Sequence, residues 1–499
     1  MRGRWLVVLA GVLVLGAGVA AAPGQAVPTG ATASGPSAAP APGDAMAHLD
    51  QLLARSRPPE YRRFGSPGMA AAADYAAGVL TRAGYLVHRE DAPGTVYRPD
   101  YAPGAAPLLE RLSDGHRFPV ESAFRLEAVT PPGGITCTVR VPDQVRRGDC
   151  GFVSFVDDSP SWTNTFTEDA LTKVDQVIRR GGVGVVLQGD VARHALIALS
   201  VRRPLPAVVA VAPADQVVGR RVRLRVRGGP QDATLHDVIA VRPPSDPRLG
   251  YTLLQGHLDG WFTAAADNGG GAAAVLAAAE VLAHDRSGRG LLVALYDGEE
   301  WGLLGSRAFA RDLADADGVA MGPCGPTIRM RDIVSVVNLD APSALPSDSL
   351  GAVTRRLTGA PESLVSYRAL VFSDGAPTLT LDLVRDMAAA GVLGLPLPRS
   401  VVNPYLGGGM DRTDGKWFDA VGIPVAWPVA EYPEYHTTAD TRVAVDPADL
   451  RRIVAGTVQL VRDLATATIP RTHGPLPPPG TAGVPSGTYK GEQHGPRCP

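Results

Sequence analysis

Apolar and polar residues follow three different rhythms along the chain, and each predicts a different kind of element. From Met46 onward apolar positions recur three or four residues apart, at Met46, Leu49, Leu52 and Leu53 and again at Met69, Ala73, Ala76, Val79 and Leu80. That spacing predicts helices with one buried face, and a strand begins where it stops, at Gly84-Tyr85-Leu86-Val87. Between about 109 and 229 the apolar runs become short and β-like, at 135–141, 151–156, 183–187, 207–211 and 222–226, with one amphipathic helix at about 168–180. From Asp237 the rhythm changes again, to apolar strands at 237–241, 251–254, 291–296 and 333–339 separated by helical stretches near 269–284 and 302–313 and closed by a helix at 447–464. Alternation of this kind predicts an α/β fold whose mainly parallel, twisted sheet is covered by helices on both faces.

The polar residues that interrupt this last region are the ones that carry chemistry. His257-Leu258-Asp259 ends a strand, Asp267-Asn268 precedes the Gly/Ala helix, Glu299-Glu300 follow the next strand, and Asp340 follows 333–339. His436 lies in the polar loop 431–440. Open α/β sheets place their ligands beyond the carboxyl ends of the strands, where these residues are expected. Imidazoles and carboxylates without a thiolate form the donor set of zinc or a similar divalent ion in a hydrolytic site. His257, Asp267, Glu300, Asp340 and His436 suffice for two ions sharing one carboxylate.

Each piece has a plainer reading by itself. Asp267-Asn268 could cap the following helix, Glu299-Glu300 could be a solvated acidic pair, and His236 and His284 read as ordinary surface or structural histidines. The string 269–274 matches a loose dinucleotide fingerprint, but 261–268 before it is not an apolar strand, so that reading fails.

Taken in order, HLD, DNGGG, GEEWGLLGS, NLDAP and YHT resemble the co-catalytic di-zinc exopeptidase family of secreted leucyl aminopeptidases and plasma glutamate carboxypeptidase. The resemblance covers roughly 44–466 and includes the turn Arg62-Arg63-Phe64-Gly65-Ser66, the helix ending in Ala83-Gly84-Tyr85 and the stretch 414–424. It implies the zinc exopeptidase fold and two zinc ions per chain, one held by His257 and Asp340, the other by Glu300 and His436, with Asp267 bridging. Glu299 would be the general base, Asp259 would orient the His257 ring, and Tyr435 would hydrogen-bond the developing oxyanion. Ala264-Ala265-Ala266 departs from the family's more usual Gly-containing approach to the bridging aspartate.

The order GDCGFVSF, helix, RRGGVGVVLQGD, RPLPAVVAV resembles the protease-associated domain inserted in many members of this family. The expected plan is therefore a catalytic domain at 44–108 and 230–466, interrupted by an insert at 109–229 that acts as a lid or spacer. The expected activity is an aminopeptidase acting on peptides with a free N-terminus. A dipeptidase or carboxypeptidase, a single-zinc glutaminyl cyclase and a metal-free binding protein on the same fold are the alternatives.

Composition changes this picture at the ends of the chain. Arg2 and Arg4, the apolar run 5–22 and the small residues after it read as a secretory signal over 1–26, with a membrane anchor as the alternative. The Ala/Pro/Gly/Ser-rich stretch 27–43 and the Pro/Gly-rich tail 467–499 carry no core pattern. A secreted protein with no stable membrane span after signal cleavage is expected. At 499 residues the chain exceeds what one core serves, and its balance of 48 basic and 50 acidic residues leaves no basic stripe for nucleic acid. Four cysteines in an exported chain suggest disulfides and allow three pairings. Cys137 and Cys150 flank adjacent predicted strands and are the expected pair, leaving Cys324 and Cys498.

Overall fold

The computed structural model describes residues 43–123, 126–154, 164–198, 203–286, 288–322, 325–344, 368–392, 394–405, 409–430, 432–470 and 474. The expected signal and nearly all of the expected linker, Cys324, Cys498, most of the tail and much of the loop region 343–405 lie outside them. None of the helices among the described residues is long and apolar enough to cross a membrane.

The strand pattern from Asp237 onward builds the larger of two eight-stranded sheets. Its spatial order is Leu86–Pro99, Gly228–Arg242, Gly290–Tyr296, Tyr251–His257, Ile333–Asn338, Val425–Ala430, Arg368–Phe372 and Leu395–Pro398. The four strands from Gly290–Tyr296 to Val425–Ala430 run parallel. The flanks do not: Gly228–Arg242 pairs antiparallel with both of its neighbours, and Arg368–Phe372 is antiparallel to Val425–Ala430. The sheet is thus mixed, with a parallel centre.

Side-chain alternation explains why strands that read as continuous apolar runs are buried on both faces. Leu291, Val293 and Leu295 enter one core with Leu254 and Val238, while Leu292, Ala294 and Tyr296 enter the other with Leu253 and Ile239. The first core is covered by Ala45–Leu53, Pro67–Arg82, Gly271–Leu282 and Pro447–Leu464, and the second by Leu304–Ala314 and Lys416–Ala420. Period-two alternation between two helical layers is the physical content of the α/β expectation.

The insert hangs from a two-stranded ribbon. Leu86–Pro99 pairs residue for residue with Gly228–Arg242, from Leu86 opposite Val241 to Pro99 opposite Gly228, so the chain leaves and re-enters the main sheet side by side. Between these ends, the second sheet contains Ile135–Arg140, Cys150–Val153, Gly184–Gln188, Ala207–Ala210 and Arg221–Arg225. Its core is separate and includes Leu109, Phe152, Val177, Val186, Val208 and Leu224. The predicted amphipathic helix spans Asn164–Arg179. Cys137 and Cys150, on neighbouring parallel strands, form a disulfide.

One buried ion pair anchors the far side of the main sheet to the last helix. Arg368 and Asp449 have side-chain exposures of 1% and 3%, and the guanidinium engages both carboxylate oxygens while its Nε donates to the Pro342 carbonyl at 2.9 Å. Removing one partner leaves a desolvated charge, which costs more than the pair itself contributes. Asp449→Ala should destabilise the protein by about 3–5 kcal/mol in urea denaturation. A loss below about 1 kcal/mol, the scale of an ordinary surface change, would show that the pair is dispensable.

Candidate metal centre

The parallel strands all end at one edge, and that edge gathers the predicted residues. His257 is the last residue of Tyr251–His257, Glu299 and Glu300 lie just beyond Gly290–Tyr296, Asp340 just beyond Ile333–Asn338, and His436 in the loop after Val425–Ala430. Asp267 approaches from the segment that leads into Gly271–Leu282. This convergence depends on strand direction, since a one-strand reversal would send its terminal loop to the opposite edge.

The five residues form two groups, His257 with Asp267 and Asp340, and Asp267 with Glu300 and His436, each with its candidate ligand atoms within 4.8 Å of one another. Asp267 belongs to both. Its Oδ1 lies 3.2 Å from His257 Nε2, and its Oδ2 lies 3.2 Å from His436 Nε2. Asp340 Oδ1 is 3.4 Å from His257 Nε2, and Glu300 Oε2 is 3.0 Å from His436 Nε2. Both imidazoles therefore turn the same kind of nitrogen toward carboxylate oxygens and toward the shared residue.

The electrostatics of this cluster fit a pair of divalent ions. Asp259, Asp267, Glu299, Glu300 and Asp340 place five carboxyl groups against two imidazoles in a largely buried space. Such a charge imbalance has to be met by protons or by cations. Without cations the balance falls on protons. Burial pushes Glu300 up to about 7 and Glu299 well above the usual carboxylate range. Burial would lower His436, but Glu300 and Asp267 outweigh it and hold the imidazole at about 10. Cations able to displace those protons would bind a donor set of borderline nitrogen and hard oxygen, which suits zinc.

Asp259 does more than sit behind His257. Its Oδ1 is 3.4 Å from His257 Nδ1, and its two oxygens also accept from the backbone N–H groups of Glu299 at 3.1 Å and Glu300 at 3.3 Å. The ring Nδ1 itself meets the Asp259 backbone carbonyl at 3.2 Å, so one fully buried residue fixes the histidine ring and the start of the Glu-Glu loop together. Tyr435 stacks on the His436 ring, with centroids 3.8 Å apart and planes 17° from parallel.

Four further residues hold the site, and local sequence pattern gives them no role there. Asn268 donates to the carbonyls of His257 at 3.3 Å and Leu339 at 2.8 Å and accepts from the Ala341 N–H at 3.1 Å, which ties three loops to one side chain. Gly271 completes this junction, because a Cβ there would lie 2.3 Å from the Leu339 carbonyl oxygen. Asp440 accepts from the N–H groups of Ala266 at 2.8 Å and Asp267 at 3.1 Å and from the Tyr432 hydroxyl at 3.1 Å. Arg62, fully buried, donates to the carbonyls of Leu258 at 2.9 Å, Thr263 at 3.2 Å and Ala264 at 2.9 Å.

Arg62 matters because the loop it grips is strained. Phe262 and Ala264 have φ of +58° and +51°, and Leu303, Ala341 and His436 around the same cluster are also left-handed. A non-glycine residue pays roughly 1–2 kcal/mol for this conformation, and only surrounding bonds keep it there. Ala264-Ala265-Ala266, without the more usual glycine, thus reaches Asp267 by spending guanidinium hydrogen bonds on backbone carbonyls.

Residues 237–373 match the model of Peptidase family M28. The matched segment contains His257, Asp267, Glu299, Glu300 and Asp340, and His436 lies beyond it. Solved structures extend the likeness over most of the chain. A zinc aminopeptidase from Bacillus subtilis is 15% identical with a TM-score of 0.61, covering 86% of this chain and 97% of its own. A peptidase M28 precursor from Shewanella amazonensis is 20% identical with a TM-score of 0.64, covering 88% and 96%. An aminopeptidase from Aneurinibacillus sp. strain AM-1 is 18% identical with a TM-score of 0.53, covering 87% and 97%. No curated protein matches the sequence. The M28 match and the shared fold support the co-catalytic zinc exopeptidase family to which the five motifs point, and with it a zinc-dependent peptidase.

Proposed function

We propose that the protein is a secreted aminopeptidase that removes N-terminal residues from peptides using two zinc ions. The observation that carries this reading is Asp267, which offers one oxygen to each of two histidine-carboxylate groups. His257 and Asp340 would complete one site, and Glu300 and His436 the other. Bound there, zinc supplies Lewis acidity and lowers the pKa of a water toward about 7.

The remaining steps belong to the chain. Glu299 takes a proton from the attacking water and passes it to the leaving amine, so one carboxylate serves as base and then as acid. Asp259 holds the backbone of Glu299 and the His257 ring in register for this transfer. The Tyr435 hydroxyl donates to the oxyanion that develops on the attacked carbonyl, worth on the order of 3 kcal/mol in such sites.

The choice of aminopeptidase within the peptidase class follows the zinc aminopeptidase from Bacillus subtilis and the aminopeptidase from Aneurinibacillus, whose fold this chain shares. The Cys137–Cys150 disulfide fits an exported protein, and the module hung from the ribbon is read as a protease-associated-like insert that shapes access. Matched peptides with free and blocked N-termini, assayed with the zinc-loaded protein, test the reading. Cleavage of only the free form from its N-terminus is expected, and equal or exclusive cleavage of blocked peptides would overturn it.

A further inference from the structure

The insert does more than stand over the site, because one of its segments is hydrogen-bonded to the loop that carries His436. After the strand Gly184–Gln188 the chain turns at a small bridge between Asp190 and Ala195 and then runs antiparallel to 436–438. The Leu196 N–H donates to Thr438 Oγ1 at 3.0 Å, the Thr438 N–H donates to the Leu196 carbonyl at 2.9 Å, and Ile197 faces Thr437 across the bridge. The Ala198 N–H donates to the carbonyl of His436 itself at 2.7 Å. Ala198 is buried against Trp261 and Phe262, so this segment also closes the wall beside the strained loop before Asp267.

His436 has reason to need such a partner. Its φ of +57° is uncommon for a residue other than glycine, and bonds from its surroundings help to hold it there. Its loop is fixed on one side by Asp440, which accepts from the backbone at 266–267. On the other side the fixing bonds come from the insert.

We propose that residues 196–198 of the insert are a positioning element for the metal site built from Asp267, Glu300 and His436, with the Ala198 N–H as its principal contact. This rests on the two-zinc reading above. Binding at that site and seating of the insert are therefore linked, and by reciprocity each strengthens the other. The His257, Asp267 and Asp340 site has no such bond to the insert among the described residues. The insert consequently acts on one of the two ions, not equally on both.

The test uses the full-length mature protein and zinc itself as the ligand. Ala198→Pro removes the donor, and Ala198→Gly keeps it as the conservative control. Losing an outer partner of a ligand costs about 10–100-fold in metal affinity. Ala198→Pro should therefore weaken one of two zinc-binding events by that factor in competition titrations, leave the other unchanged and regain two ions at high free zinc. Ala198→Gly should match wild type.

Hydrogen exchange on the wild-type protein supplies a measurement independent of whether the proline variant folds. Zinc should slow exchange of the amides of Leu196, Ala198 and Thr438 by about 10-fold or more, as expected when a ligand suppresses local opening. A wild-type protein that binds two zinc ions without altering exchange at these amides overturns the inference. A folded Ala198→Pro that keeps both affinities does the same. A wild-type protein that binds fewer than two ions removes the two-zinc reading first and this inference with it.

Discussion

Glu299→Gln should leave both metal ions and substrate affinity nearly intact while turnover falls by about 100-fold or more, the range for loss of a general base. The amide keeps the size of the carboxylate and cannot accept the proton. Nothing in the two metal groups uses the Glu299 side chain: they are His257 with Asp267 and Asp340, and Asp267 with Glu300 and His436. Its backbone N–H to Asp259 is untouched by the substitution. Glu300→Gln should behave in the opposite way, because Glu300 Oε2 stands 3.0 Å from His436 Nε2 inside the second group. An amide is a poorer ligand than a carboxylate, so that variant should lose zinc and recover part of its activity when zinc is added. Steady-state kinetics and elemental analysis on both variants decide between the roles. Metal loss in Glu299→Gln with retention in Glu300→Gln would exchange them, and full activity in both would place the chemistry elsewhere.

How much of this was legible in the sequence depended on whether an interaction leaves a local pattern. The ligands were readable because each ends or follows an apolar strand, and parallel strands bring their ends to one edge. The two faces of the sheet were readable from alternation. Strand direction at the flanks was not, and the reason is topological. Gly228–Arg242 returns from the insert along the strand that entered it, so its pairing is fixed by the ribbon and not by a crossover helix. Arg62 stands in a turn whose local pattern carries no sign of its role, since its partners lie 196 to 202 residues away and are carbonyls, which any residue supplies. The same holds for the Thr438 N–H and the Leu196 carbonyl it donates to, 242 residues apart. Backbone acceptors and donors have no sequence signature. What local pattern could not show is therefore concentrated in the supporting bonds, while the chemical groups themselves were largely apparent.

Asp267→Ala should be the most damaging single change in the cluster, emptying both metal groups where Asp340→Ala or His436→Ala empties one. The argument is geometric. Asp267 Oδ1 faces His257 and Oδ2 faces His436, so deleting this side chain removes a donor from each group and the one residue the two groups share. Losing an outer partner weakens metal binding by about 10–100-fold, and losing a direct ligand from both groups should exceed that at each. Zinc content after dialysis should fall from two ions to none in Asp267→Ala and from two to one in Asp340→Ala. Thermal unfolding gives a second reading of the same event. A ligand present at 100 times its dissociation constant stabilises the folded state by about 2.7 kcal/mol per site, so a chelator should lower the midpoint of the wild type, lower that of Asp340→Ala less, and leave Asp267→Ala unmoved. Because both groups share Asp267, effects of His257→Ala and His436→Ala should combine to that of Asp267→Ala and add nothing when placed on top of it. If Asp267→Ala keeps two ions, or loses only one, the carboxylate does not bridge and the two groups are independent sites.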